Sequence, residues 1–149
     1  MKPRSHRGRR VSKAPKLLPV DTGLAAHLFG ADSGALHNNR SIAGGLLETF
    51  VANELRAQSS WATTRTSLFH YREYDGLEID LVLERPDGTL TAVEVKATAS
   101  PGHGDFKRMR RFGDSMGSSF VRGVLLYGGE TMVSFGPNLF AVPISSLWA

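Results

Sequence analysis

Leu77-Glu78-Ile79-Asp80-Leu81-Val82-Leu83-Glu84-Arg85-Pro86-Asp87-Gly88-Thr89-Leu90-Thr91-Ala92-Val93-Glu94-Val95-Lys96 is the stretch that decides the fold. At its centre Arg85-Pro86-Asp87-Gly88-Thr89 reads as a tight turn, with proline presetting one backbone angle and glycine free to reverse the chain. The flanking runs, Leu77–Glu84 and Leu90–Thr98, read as the arms of a hairpin. Alternation along a strand puts Glu78 and Asp80 on one face, and likewise Glu94 and Lys96. Side chains meeting across the ladder would gather two or three carboxylates and one ammonium. Carboxylates packed that closely repel one another unless a cation sits among them, and hard oxygen ligands suit Mg²⁺ or Mn²⁺. The pattern fits a metal-dependent phosphodiesterase site. The plainer alternative is a half-exposed hairpin with cross-strand ion pairs, each worth under about 1 kcal/mol.

Outward from the hairpin, Ser67–Tyr74 reads as a further strand, joined to it by a two-residue turn at Asp75-Gly76. Upstream, Ser41 to Gln58 is the clearest helix, with Ile42, Leu46, Leu47, Phe50, Val51 and Leu55 as its apolar stripe and Glu48 at the stripe's flank. Asp21 or Thr22 can cap a brief helix through Phe29, closed by Gly30, and Ala31–Arg40 reads as a loop. Downstream, Asp105 to Met116 reads as a helix with Phe106, Met109 and Phe112 or Met116 inward and Lys107, Arg108, Arg110 and Arg111 on its other faces. Phe120–Tyr127 reads as a buried central strand, with shorter strands at Thr131–Phe135 and Phe140–Ile144. The order helix–strand–strand–strand–helix–strand predicts an α/β fold with an αβββαβ core, a mixed central sheet flanked by helices. A sheet covered on both sides makes the charges of the hairpin expensive unless they are paired or metal-bound.

With 149 residues and an apolar share of 41%, the chain suits one domain with a real core. No apolar run approaches membrane-spanning length, and no signal-peptide pattern is present, so no membrane partner is expected. Cysteine is absent, which excludes disulfides, zinc–thiolate sites, a cysteine nucleophile and a thiolate-held iron–sulfur cluster. The natural compartment for such a chain is a reducing cytoplasm. The net charge of +4 belongs to the amino terminus: seven of the eighteen basic residues lie in residues 1–16, leaving eleven against fourteen acids. Residues 1–15 read as a basic flexible tail or linker, able to add salt-sensitive phosphate contacts, and 16–149 as the folded domain. Gly44-Gly45 stands without a Walker A sequence, which argues against ATP binding by that route.

Asp80 followed by Glu94-Val95-Lys96 resembles the motif of the PD-(D/E)XK, or restriction-endonuclease-like, nucleases, with Ile79 where that motif often has proline. The resemblance implies that Asp80 and Glu94 hold Mg²⁺ or Mn²⁺, with the Val95 carbonyl as a further ligand. It also implies that Lys96 contacts the attacking water or the scissile phosphate, and that Glu48, on the preceding helix, orients the metal or its water. Glu78 lies next to that motif. A second resemblance runs along most of the chain: Lys16-Leu17-Leu18-Pro19-Val20-Asp21-Thr22-Gly23-Leu24, Gly45-Leu46-Leu47-Glu48, Tyr71-Arg72, Glu78-Ile79-Asp80, Glu94-Val95-Lys96-Ala97 and Leu147-Trp148. In order and spacing these are similar to the carboxy-terminal domain of unknown function in bacterial and archaeal AAA-type ATPases. What it implies is a nuclease-like fold, in a family with no settled substrate, with an ATPase partner or upstream ATPase domain. The two resemblances together give the expectation of a metal-dependent nuclease-like domain acting on DNA and, by analogy with relatives that cut two strands, a homodimer. Tyr71, Arg72, Lys107, Arg108, Arg110 and Arg111 are candidates for phosphate contacts, whereas His70 and His103 are better read as ordinary polar residues. A catalytically silent interaction or regulatory module of an ATPase is the alternative reading.

Overall fold

In the computed structural model, which describes residues 16–149, helix α3 (Arg40–Trp61) lies on one face of a six-stranded sheet and α4 (Lys107–Met116) on the other. The tail assigned to residues 1–15 lies outside the described residues. Asn39 starts α3 by accepting hydrogen bonds from Ser41 N and Ile42 N, meeting two of the backbone donors a helix start leaves unpaired. The helix runs three residues beyond the expected Gln58, since no glycine or proline interrupts Ser59-Ser60-Trp61. Its fully buried residues are Thr49, Val51 and Ala52. The small side chains make the closest contact, while Leu46, Leu47, Phe50 and Leu55 of the expected stripe are half-buried. Thr49 tolerates burial because its hydroxyl donates back to the Gly45 carbonyl at 2.8 Å.

Two short helices precede α3. The first, α1 (Thr22–Leu28), is capped by Asp21, and Gly30 follows at φ +62. The second, α2 (Ser33–Asn38), falls in the segment expected to be loop. Asp32 is the reason, accepting from Ala35 N at 2.7 Å and so nucleating a turn that composition alone did not reveal.

The strands are β1 (Ser67–Arg72), β2 (Glu78–Glu84), β3 (Leu90–Lys96), β4 (Phe120–Tyr127), β5 (Val133–Gly136) and β6 (Leu139–Pro143), in sheet order β1-β2-β3-β4-β6-β5. Strands β3, β4 and β6 are mutually parallel, and the remaining pairs are antiparallel, so the sheet is mixed and the expected αβββαβ order stands. Both hairpins around β2 close in the same way. Gly88 N donates to Arg85 O and Arg85 N to Thr89 O, and the same pattern recurs from Glu73 to Leu77 through Gly76. Gly76 (φ +88) and Gly88 (φ +83) adopt a left-handed backbone that side chains resist. The first connection is therefore a three-residue loop, 74–76, in place of the expected two-residue turn.

One apolar cluster packs α4 and the preceding 3₁₀ turn (His103–Phe106) against the sheet, with Phe106, Met109 and Phe112 on Ile79, Val82, Ala92, Leu125 and Leu139. The other packs Val51 and Ala52 of α3 against Leu81, Val93 and Leu126, with Leu18, Ile144 and Leu147 closing its edges. Seating α4 depends on Gly123, where a Cβ would stand 2.7 Å from Leu139 Cδ2 and 2.8 Å from the Met109 sulfur. Strand β4 is buried only over its second half. Val121 and Arg122 are exposed, and the Arg122 guanidinium covers the Phe140 ring at 5.6 Å. Among the described residues no helix is long and apolar enough to cross a membrane.

Candidate carboxylate site at the fork of two strands

Two irregularities in the sheet create the site. Between β1 and β2 the register slips by one: Phe69 faces Val82, but Tyr71 faces Ile79. Asp80 and Leu81 therefore share the single partner His70, a β-bulge that reverses the alternation of β2. Ile79 accordingly packs on the α4 side, whereas Leu81 packs on the α3 side. His70 braces the bulge, with Nδ1 3.3 Å from the Asp80 carbonyl oxygen. That oxygen can only accept, so the bond forms when the ring carries a proton on Nδ1. Between β2 and β3 the ladder stops at Leu81–Val93. Beyond that pair the strands fork, and the Asp80 side chain fills the gap by accepting from Val95 N at 3.0 Å.

This geometry corrects the expected cross-strand cluster. Ala92 packs toward α4 while Val93 and Val95 pack toward α3, so alternation places Glu94 and Lys96 on the α4 side. Glu78 lies on the other side, 3.4 Å from His70 Nε2 and 4.0 Å from Lys16 Nζ. The expected residues thus form two groups joined through Asp80 at the fork.

At the fork itself, Glu94 is 3% exposed and its Oε1 has no hydrogen-bond partner. Burial pushes its carboxyl up to about 8, with the neighbouring Asp80 charge the next contributor, against the pull of Arg108 and Lys96. Glu48, half-buried on α3, is also raised, by burial first, while its ion pair with Lys16 opposes the shift and Asp80 adds to it. These mutual effects place Glu48, Asp80 and Glu94 within each other's electrostatic reach. Among the described residues, however, no three His, Asp or Glu side chains converge as a ready-made metal cage.

Lys96 does not sit among these carboxylates. Its ammonium is 2.5 Å from Asp105 Oδ1, and Asp105 is anchored in turn by Gly102 N donating to Oδ2 at 2.8 Å. The Lys96 bond, and then the Gly102 donor, hold the Asp105 carboxyl below its ordinary range. The candidate phosphate contacts divide as sharply. Arg110 donates to the His103 carbonyl at 2.8 Å and lies over Phe106, and Arg111 pairs with Asp75. Tyr71 packs edge-on against Phe112 with its hydroxyl donating to Glu73. Arg72, Lys107 and Arg108 remain exposed, Arg108 on the side that stabilises the Glu94 anion.

Lys16, His70 and Asp105 carry roles that sequence patterns did not assign to them. Lys16 meets Glu48 across 32 residues of chain and Lys96 meets Asp105 across 9, so neither pairing follows a helical or strand period. A signal was available for Asp105 alone, an acid three residues after Gly102 in a glycine-rich loop.

A family model described as "Domain of unknown function (DUF4143)" matches residues 43–147. The chain is 30% identical over 146 residues to an uncharacterized protein of Mycobacterium tuberculosis and, to the same extent, to one of Mycobacterium bovis. Each alignment takes in 94% of this chain but 30% of the relative, so the chain spans under a third of the length of the curated relatives it matches. No solved structure matches it.

Proposed function

The chain belongs to the DUF4143 family, and within it we propose a metal-dependent nuclease-like domain of the PD-(D/E)XK type that hydrolyses phosphodiester bonds in DNA. The observation that carries this reading is Glu94: a carboxylate buried in the middle of a sheet, one oxygen unpartnered, beside a second carboxylate at a strand fork. A buried acid without a partner is costly in a structural role, and a divalent cation is the partner its chemistry lacks. The absence of a three-ligand cage among the described residues is compatible with Mg²⁺, which keeps several waters and takes one or two carboxylates together with substrate phosphates.

Asp80 and Glu94 would hold the ion, with the Val95 carbonyl as a further ligand. Such an ion supplies a lowered water pKa and offsets charge building on the phosphate. Asp80 is held in place by its bond from Val95 N, and His70 fixes the bulge behind it. Glu48 orients water at the fork from α3. Lys96 stabilises phosphate charge once freed from Asp105, and Arg108, Lys107 and Arg72 supply exposed positive charge for the DNA backbone. The commitment of Lys96 to Asp105 favours one second reading, a catalytically silent interaction module of an ATPase.

Cleavage of linear, circular, branched and single-stranded DNA with Mg²⁺ or Mn²⁺ tests the proposal, comparing wild type with Asp80→Ala and Lys96→Ala. Activity in wild type that both variants lose while staying folded supports the nuclease. A wild-type protein that neither cleaves nor binds Mn²⁺ leaves the silent module.

A further inference from the structure

We infer that Lys16 is the resident counter-cation of Glu48 at the edge of the carboxylate site, so that the Lys16 contact and loading of a divalent ion at Asp80 and Glu94 oppose each other. The inference rests on the metal-site reading above. Lys16 Nζ forms an ion pair with Glu48 and lies 4.0 Å from Glu78 Oε1. It is thereby the ammonium that touches the expected site acids, since Lys96 is drawn outward to Asp105.

The position of Lys16 is built by the segment that follows it. Asn53 Nδ2 donates to the Pro19 carbonyl at 2.9 Å and to the Val20 carbonyl at 3.1 Å, while Leu18 packs at the edge of the α3 cluster. Glu48 and Asn53 both project from α3, so one helix presents the carboxylate and fastens the strap that delivers its partner. The Lys16 side chain is three-quarters buried where it pairs with Glu48. Glu94, 3% exposed with an unpartnered oxygen at the adjoining fork, marks the direction in which a cation is still lacking. A positive charge held on Glu48 opposes a second cation at the neighbouring Asp80 and Glu94 and withholds the Glu48 oxygens from that ion's water. Linkage makes the effect reciprocal: whatever draws the strap off α3 raises the affinity of the site for a divalent ion.

Calorimetric titration of the folded chain with Mn²⁺, without DNA, is the test, with folding checked by circular dichroism. Lys16→Gln is expected to tighten Mn²⁺ binding on the order of tenfold, since it removes one nearby positive charge. Lys16→Arg should bind as wild type does, and Asn53→Ala, which loosens the strap without touching a carboxylate, should shift affinity in the same direction as Lys16→Gln by less. Equal or weaker binding in Lys16→Gln than in wild type overturns it and leaves the nuclease reading standing. No binding in either protein overturns both.

Discussion

Replacing Glu94 by Gln should stabilise the metal-free protein in a pH-dependent way that a surface carboxylate could not produce. Burial, and then Asp80, raise the Glu94 carboxyl from the ordinary 4.5 to about 8. Between those values the folded chain holds a proton that the unfolded chain has lost, so folding stability is greatest below pH 4.5 and falls as pH rises through the window. Each pH unit across the window costs about 1.4 kcal/mol, giving a loss of about 4 kcal/mol by pH 8. Gln keeps the shape and carries no charge, so the stability difference between Glu94→Gln and wild type should open at that slope from about pH 5 upward. At pH 8 this corresponds to roughly 10 °C in Tm for a chain of this size. Urea unfolding of both proteins in EDTA at pH 5, 6, 7 and 8, at constant ionic strength, reads the difference directly. A difference that stays constant across that range would refute the reasoning, because it would mean that Glu94 is solvated or already partnered in solution. Saturating Mn²⁺ should remove the slope from wild type and leave Glu94→Gln unmoved.

Asp80→Ala strips Val95 N of its acceptor and should cost about 1–3 kcal/mol in urea unfolding, with Asp80→Asn costing less because an oxygen remains. Either change removes the second contributor to the Glu94 shift, so the upper end of the pH window above should fall in an Asp80→Asn background while its lower end stays. Gly123→Ala should destabilise by about 1–3 kcal/mol, since its Cβ would overlap Leu139 and Met109 where α4 meets the sheet; an unchanged Tm would show that the helix lifts freely. The Asp105 carboxyl is held below the ordinary 3.8 by Lys96, so its contribution is present above that value and lost as pH falls further. Acid titration of stability should therefore show a smaller loss below pH 4 in Asp105→Asn than in wild type.

Local patterns were enough to place the elements that carry the site. The two glycine turns, the alternating runs on either side of Pro86-Asp87-Gly88 and the long period of α3 are each written in residues close together, because backbone angles and burial periods are local properties. Asp80 and Glu94 could be singled out for the same reason: charges inside strand-like runs conflict with burial wherever the sheet ends up. What the sequence could not express was the departure from strict alternation. The extra residue at Asp80–Leu81 exists only by comparison with β1, and the fork beyond Leu81–Val93 only by comparison between β2 and β3. Those two relations decide that Glu94 is buried without a partner, and that Glu78 and Lys96 face opposite helices. The counter-charges were equally out of reach. Lys16 on Glu48 and Asp105 on Lys96 join segments with no shared period, and which ammonium meets which carboxylate is settled by tertiary packing, since Coulomb attraction depends on distance in space and is blind to spacing along the chain.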